Sequence, residues 1–521
     1  MLRHANLAKA VIDNAQSRGE HTALVTEKGA RSYRELVDLI TRFAVMVKAQ
    51  GLRPGDRICL FLPNGQELAV SLLGASLVRG IVVPLNANFK TEEIQYFVNN
   101  SEPTLVACDR RVESELKTLH QAGAIGFSPE GRIILSDEVT ALLDNQKEPA
   151  LQPIQESWDV SDNFLIGYTS GTTGKPKGTL ISHYQMMTEA EALARTYGIG
   201  PDDNILCAQP LFLTSTLLMG LLWPLYLGGT ACVQTRLNVE LFLDWVEQYG
   251  ISMTFGVPTL YHALQSIGEG RNLRGLRYCV YGGSPMPDSI KHNLECRYGL
   301  RMVQAYGGTE VPCAATINLS GRNPKSPGKP LDHMLIEILD ERDQPLGSNQ
   351  IGEVCVRAKD DRYQLVNGYW RMPEETQQTF GSGFLRTGDL GYLDEEGFLY
   401  LVARKKDMIK VSGFSVFPAE IEQVIDQYPG IEDCAVVGMP DERQGEVPVA
   451  FVTLSNEAQL DESHFLTWVK ERVVGYKAVK RAFVLAAMPR TPQGKIAKAE
   501  LRKMLAEGSL PDTSGEKRAG V

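Results

Sequence analysis

The chain has 521 residues, enough for roughly three to four domain-sized units with separate cores. At 43% hydrophobic and 22% charged residues it has the balance of an ordinary globular protein, which argues against a disordered or fibrous chain. The formal net charge of −10 argues against a nucleic-acid footprint, so any polyanionic ligand must be met by local donors.

Nine cysteines (Cys59, Cys108, Cys207, Cys232, Cys279, Cys296, Cys313, Cys355, Cys434) are scattered without a CxxC pair, mostly among apolar neighbours. An odd count in that setting reads as reduced core cysteine in a cytoplasmic protein. The eight histidines show no HExxH-type pairing, so no transition-metal site is expected. Met1-Leu2-Arg3-His4-Ala5-Asn6 lacks the apolar core of a signal peptide.

Along the chain, residues 33–50 place Leu36, Leu39, Ile40, Phe43 and Val47 on one helical face, with Glu35, Asp38 and Arg42 elsewhere. Arg57–Leu62 reads as a strand, Gln66–Val78 as a helix and Ile81–Leu85 as the next strand, a βαβ unit with parallel pairing. Short apolar runs at Thr104–Ala107 and Ile133–Leu135 continue the alternation, and Phe164-Leu165-Ile166-Gly167 reads as a buried strand.

That strand leads into Tyr168-Thr169-Ser170-Gly171-Thr172-Thr173-Gly174-Lys175-Pro176-Lys177-Gly178. Glycines allow a sharp turn with backbone N–H groups facing one point, which favours anions. Thr169, Ser170, Thr172 and Thr173 add hydroxyls, and Lys175 and Lys177 add positive charge. Together they suit a polyphosphate such as ATP, although the spacing is not that of a Walker A loop. Taken by composition alone, such a stretch is more often a plain surface loop.

No charged residue occurs from Asn204 to Thr235, and Leu217–Trp223 is strongly apolar. Pro224 and Gly228-Gly229 interrupt the run and no basic cluster flanks it, so a buried helix followed by a strand is expected rather than a membrane span. Strands follow at Met253–Phe255 and Leu276–Tyr281, and the texture turns β-rich from about residue 334, at Met334–Ile338 and Glu353–Val356. Beyond Arg404-Lys405-Lys406-Asp407 a compact α+β unit is expected: helix Ala419–Gln427, strands Asp433–Val437 and Val449–Leu454, helix Glu462–Glu471.

The phosphate-loop string resembles that of the adenylate-forming (AMP-binding) superfamily, which includes acyl- and aryl-CoA synthetases, peptide-synthetase adenylation domains and luciferases. Further segments resemble the superfamily in the right order over residues 25–505. The resemblance implies an α/β fold: a large N-terminal domain (1–404) of parallel-rich αβα sheets with a β-rich subdomain, then a small mobile α+β C-terminal domain (405–507) and a disordered tail (508–521). By the same resemblance Thr169, Ser170, Gly171, Thr172, Thr173, Gly174, Lys175 and Lys177 contact ATP, and Gly283, Ser284 and Pro285 line adenine. In Gln304-Ala305-Tyr306-Gly307-Gly308-Thr309-Glu310, Gln304 and Tyr306 face adenine and Thr309 the α-phosphate. Glu310 is implied as the Mg²⁺ ligand, a hard oxygen of the kind that ion prefers. Asp389 and Arg404 match the ribose and phosphate contacts, and Lys406 the hinge. The Lys410–Glu422 segment resembles the loop that closes the thioester-forming site, with Gly413 leaving room for the pantetheine arm. Lys495, in Pro489-Arg490-Thr491-Pro492-Gln493-Gly494-Lys495-Ile496, resembles the lysine that orients the acid and the α-phosphate; two anions must meet there, so a cation between them is physically required.

Several positions depart from the family. Gly308 stands for Met, Phe384 for Trp, Ala403 for Gly, and Leu213 for the His frequent in CoA synthetases. Leucine cannot pair with an ammonium either, so an α-amino acid substrate is disfavoured. The other pocket positions carried over, Ser215, Met219, Gly283, Ala305, Val311 and Cys313, are apolar or small, implying an uncharged aliphatic or aryl tail. The expectation is an AMP-forming acyl-CoA synthetase using ATP, Mg²⁺ and CoA, with the small domain rotating about Lys406 between two half-reactions. Transfer to an acyl- or peptidyl-carrier protein thiol, oxidation of the adenylate, and a non-catalytic nucleotide-binding role are the alternatives.

Overall fold

The structure is a computed structural model that describes residues 4, 6–144, 159–169, 176–265, 271–283, 286–360, 363–455, 460–491 and 495–508. The chain divides into two compact units. The first comprises Met1–Thr169, Pro176–Leu335 and Arg357–Leu385, and the second Ile336–Val356 with Arg386–Val521.

The first unit holds two sheets. One runs in the order Ile133–Leu135, Leu105–Cys108, Arg57–Phe61, Ile81–Pro84, Asn163–Tyr168 and Gly178–Ser182. Its strands are parallel except for the last pair. The βαβ unit read from the sequence is present, with Ile58 opposite Val82 and the helix Gln66–Leu77 buried at every residue. That helix meets its neighbour Tyr33–Ala49 at Gly74, where a Cβ would lie 2.8 Å from the Ile40 carbonyl oxygen. Helix Tyr33–Ala49 starts at a reciprocal cap, Ser32 Oγ accepting from the Glu35 N–H and Glu35 Oε2 from the Ser32 N–H. Arg42, placed off the apolar face by periodicity, is buried, because Asp38 one turn earlier takes its Nε at 2.7 Å and its aliphatic stem packs inward.

The second sheet has nine strands in the order Lys329–Pro330, Thr316–Ile317, Met302–Tyr306, Tyr278–Tyr281, Ile251–Gly256, Asn204–Cys207, Thr230–Val233, Thr22–Thr26 and Gly29–Ser32. The six strands from Met302–Tyr306 to Thr22–Thr26 are parallel, so their carboxyl ends open on one edge. The uncharged stretch lies inside this body: Thr214–Leu217 is α-helical, Leu218–Leu222 widens into a π turn, and Trp223–Leu227 is α-helical before the strand Thr230–Val233. Gly220 lets the turn rest on the sheet, since a Cβ there would lie 2.5 Å from Cys207 Cβ. Among the described residues no helix is long and apolar enough to cross a membrane.

The second unit contains a four-stranded sheet ordered Met334–Leu339, Gly352–Ala358, Leu385–Leu393, Leu399–Arg404, which is the β-rich texture seen in the sequence. Its other sheet runs Phe414–Val416, Ile409–Val411, Gly445–Leu454, Ile431–Asp441, with Ala482–Val484 parallel to Gly445–Leu454. Alternation sorts the long hairpin onto two faces: Val436, Ala450 and Val452 pack with Ile421, Ile425 and Phe465. Ala435, Val437, Val449 and Phe451 pack with Met488 and Leu501 on the other.

Candidate active site

In the first unit the candidate residues lie beyond the carboxyl ends of parallel strands, where ligands bind in open α/β sheets. Strand Met302–Tyr306 carries Gln304, Ala305 and Tyr306 at its end and hands on to Thr309 and Glu310. Its neighbour Tyr278–Tyr281 runs into Gly282 and Gly283. Gly282 approaches the Ala305 carbonyl so closely that a Cβ would lie 3.0 Å from that oxygen, and Gly283 adopts φ 82°. Tyr281 Oη donates to Gln304 Oε1 at 3.4 Å. Strand Asn204–Cys207 continues to Leu213, whose carbonyl receives the Leu217 N–H at 2.8 Å and starts the helical turn bearing Ser215 and leading to Met219. Leu213 and Ser215 are partly exposed, whereas Met219, Val311 and Cys313 are buried.

The phosphate-loop strand Asn163–Tyr168 joins this group at Gly167. A Cβ on Gly167 would lie 2.3 Å from Thr214 Oγ1 and 3.2 Å from Thr309 Cγ2, so hydrogen alone fits. The end of strand Asn163–Tyr168, Thr214 and Thr309 thus meet around one Cα. Thr169 closes the loop's base, donating its N–H to the Lys177 carbonyl at 2.9 Å. Ser170, Gly171, Thr172, Thr173, Gly174, Lys175, Ser284 and Pro285 lie outside the described residues.

Tyr369 is the residue that sequence reasoning missed. Its hydroxyl donates to Glu310 Oε1 at 2.9 Å, and the Lys177 ammonium lies 4.9 Å from its ring centroid. Burial, then the Glu310 charge, raise its phenol above the ordinary range, so the proton stays on the donor. Local structure explains its place. Trp370 N–H bonds to the Gly178 carbonyl and Leu180 N–H to the Gly368 carbonyl, laying residues 368–370 along strand Gly178–Ser182, which follows Lys177 directly. Gly368, at φ 94°, could hold no Cβ against Thr376. The Gly368-Tyr369 step is a turn signal, but nothing local couples it to a carboxylate 59 residues earlier.

Glu310 is the carboxylate expected to hold Mg²⁺. No cluster of three or more His, Cys, Asp or Glu side chains able to hold a metal exists among the described residues. One carboxylate fits Mg²⁺, which takes its remaining ligands from phosphate oxygens and water.

In the second unit Asp389 and Arg404 are cross-strand partners in register, and Arg404 Nε meets Asp389 Oδ1 at 2.7 Å. Thr387 Oγ1 accepts the Asp389 N–H at 3.1 Å, and Gly388 makes the bend at φ 70°. Lys495 belongs to the same group: burial and then the charge of Arg404 push its ammonium below the ordinary amine range, while Asp389 opposes them. The structure therefore brings Asp389, Arg404 and Lys495 together, although 106 residues separate the first from the last.

Lys406 lies in a short helical turn, Lys405–Asp407, pinned on both sides: Lys405 pairs with Glu353 at 2.9 Å and Asp407 with Arg502 at 2.6 Å. Desolvation brings Lys406 down to about 8. Gly413 occupies the tip of the hairpin joining Ile409–Val411 to Phe414–Val416, with Ser412 at φ 49° and Gly413 at φ 85°. Two successive positive φ values are the signature of a tight primed turn, which needs glycine at the second position. No atom would lie within 4 Å of a Cβ there, so the tip is open.

Comparison with known proteins points the same way. The model of the AMP-binding enzyme family matches residues 11–370, and that of the AMP-binding enzyme C-terminal domain matches residues 420–495. A feruloyl-CoA synthase from Amycolatopsis sp is 30% identical over 507 residues, covering 96% of this chain and 99% of that protein. The 4-coumarate–CoA ligase 2 of Nicotiana tabacum is 31% identical over 495 residues, 90% of this chain and 88% of that one. Among solved structures, ATP-bound MatB from Rhodopseudomonas palustris superposes with a TM-score of 0.86 at 28% identity, covering 96% of this chain and 99% of that one.

Proposed function

We propose that this chain, which belongs to the AMP-binding enzyme family, is an AMP-forming acid:CoA ligase that activates an uncharged aliphatic or aryl carboxylic acid. The observation that carries the reading is the convergence at Gly167, where the base of the phosphate loop, Thr214 and Thr309 meet at van der Waals distance. A site that joins a carboxylate to a phosphate needs its acid-binding and phosphate-binding elements adjacent, and the closeness of Thr214 and Thr309 to Gly167 supports that reading. The names of the relatives, a feruloyl-CoA synthase and a 4-coumarate–CoA ligase, support CoA as the acceptor and an acid with a flat apolar tail.

In the first half-reaction the acid's carboxylate oxygen attacks the α-phosphorus of ATP. A P–O bond forms, the bond to the leaving pyrophosphate breaks, and an acyl-adenylate results. Glu310, held by the Tyr369 phenol, would bind Mg²⁺, which neutralises charge on the phosphates when bound. Thr309 donates to the α-phosphate and Lys495 offsets the meeting of two anions. Asp389 accepts from the ribose hydroxyls. In the second half-reaction the CoA thiolate attacks the acyl carbonyl, AMP leaves, and the thiol proton passes to solvent. Leu213 offers no partner for an α-ammonium, and the apolar character of buried Met219, Val311 and Cys313 supports an uncharged tail. A cytoplasmic setting fits eight described cysteines that lie buried or partly buried as free thiols, with Cys296 exposed.

The test is pyrophosphate release over a panel of aliphatic and aromatic acids, with and without CoA. Acid-dependent release that CoA accelerates, with acyl-CoA as product, is the expected result. Release accelerated only by a phosphopantetheinylated carrier protein would replace CoA by that acceptor. No acid-dependent exchange in any case would overturn the reading.

A further inference from the structure

One buried ionisable pair in the first unit takes no part in the chemistry above. Glu189 lies on the helix His183–Tyr197, and it and His333 are each 2% exposed in the side chain. Glu189 Oε2 receives His333 Nε2–H at 2.8 Å, and Glu189 Oε1 accepts the backbone N–H of Ala314 at 3.1 Å. The imidazole is packed against Tyr363, ring centroids 5.0 Å apart, and Tyr363 Oη accepts from Arg195 on the same helix as Glu189. A carboxylate this far from water is costly, and an apolar pair of similar volume would fill the space more cheaply. What an apolar residue could not supply is a charged acceptor for the Ala314 N–H.

Ala314 sits in a short segment with no regular structure of its own. On one side are the pocket residues Val311 and Cys313; on the other, Ala315 donates its N–H to the Tyr306 carbonyl at 2.7 Å. Gly307 is packed so tightly on the segment that a Cβ would lie 2.4 Å from the Cys313 carbonyl oxygen and 2.7 Å from Ala314 Cα. Ala314 is thus the fixed point of the wall that carries Cys313, and Glu189 is the side chain that fixes it.

We propose that Glu189, oriented by His333, is a positioning residue that sets the wall formed by Val311 and Cys313, and with it the size of acid the enzyme accepts. This rests on reading the chain as an acid:CoA ligase. Neither side chain contacts the acid; the pair acts through the backbone of Ala314. A wall freed from its anchor yields to larger acids and grips the preferred one less well. Glu189→Gln keeps an oxygen for the Ala314 N–H but removes its charge. Glu189→Leu with His333→Phe removes both side chains of the pair at once, so neither is left buried and unpaired, and only the Ala314 N–H loses its acceptor, which is the loss the test reads.

The experiment is acid-dependent pyrophosphate exchange over a homologous series of acids, with thermal melting as the control for folding. For the double variant the KM of the preferred acid should rise about tenfold, as when a charge-assisted hydrogen bond is lost, with the KM for ATP within about twofold. Selectivity should shift toward bulkier acids, and Glu189→Gln should lie between the double variant and the native enzyme. A purely structural role would lower the melting temperature and the active fraction while leaving KM and size preference unchanged, and that result overturns the proposal. An unchanged variant alongside an active native enzyme removes this inference alone; a native enzyme inactive with every acid removes the ligase reading and this inference with it.

Discussion

Two sets of candidate residues, one in each unit, meet charge differently. In the first, charged groups meet complementary partners: Glu310 accepts from a phenol whose proton is held fast, and Lys177 faces the π cloud of the same ring. In the second, cations are crowded and dried: burial and the charge of Arg404 depress Lys495, and burial with Arg404 and Arg502 depresses Lys406. The first arrangement is settled without any ligand. The second holds an electrostatic cost that an anion relieves, which suits groups that must respond to substrate.

The sharpest way to break this contrast is Lys495→Ala. Acid-dependent pyrophosphate exchange should fall by about 100- to 1,000-fold, the loss expected for one preorganised charge-stabilising donor. Thioester formation from preformed acyl-adenylate should change by less than about threefold, so the two half-reactions separate cleanly in rapid-quench measurements. Exchange at the native rate would show that the crowded amine is structural.

Tyr369→Phe probes the settled side. The ring over Lys177 stays and only the bond to Glu310 goes, so kcat/KM at limiting Mg²⁺ should drop about tenfold and recover in part as Mg²⁺ is raised. Mg²⁺·ATP binding by calorimetry should weaken in parallel. A variant with native Mg²⁺ dependence would mean that Glu310 is placed by its backbone alone.

Two stability measurements refine the contrast with smaller effects. His183 is fully buried, accepts the Leu7 N–H, and is depressed by burial to about 3. The unfolded chain therefore binds the proton that the folded one refuses, and stability is full above about pH 6.5 and declines as pH falls toward 3. Denaturant midpoints should show that decline in the native protein and less of it in His183→Gln. Lys406, depressed to about 8, has the same sign in a higher window: between pH 8 and 10.5 the unfolded state binds more protons, so stability rises with pH there. Lys406→Met should lose that rise and be the more stable protein at neutral pH; an identical pH dependence would mean that Lys406 is as well hydrated as a surface lysine.

Much of this was legible in the sequence where the physics is local. The strand–helix–strand alternation from Arg57 to Pro84 and the strand cores Asp433–Val437 and Val449–Leu454 follow from apolar period alone, whereas their extension into one long hairpin, Ile431–Asp441 with Gly445–Leu454, does not. Thr22–Thr26 did not: its hairpin with Gly29–Ser32 is too short to show a period, and its other partner, Thr230–Val233, begins 204 residues after it ends. The burial of Arg42 against Asp38 was not legible, because periodicity places a side chain on a face and does not record its pairing one turn away. In the site, Glu310, Asp389, Arg404 and Lys495 were nominated through a resemblance, whereas Tyr369, Glu189 and His333 stand outside those segments and act through contacts that only folding creates.

The π turn at Leu218–Leu222 has a consequence for how such a chain can change over time. A π turn amounts to one extra residue accommodated within an α-helical path. Losing a single codon there would restore ordinary helical winding and leave the flanking turns, Thr214–Leu217 and Trp223–Leu227, facing as they do now, so the change stays within the turn itself. Met219 would leave its present bearing while the strands on either side kept their pairing. A single deletion thus changes the surroundings of one buried side chain and leaves the rest of the sheet and its helices in place.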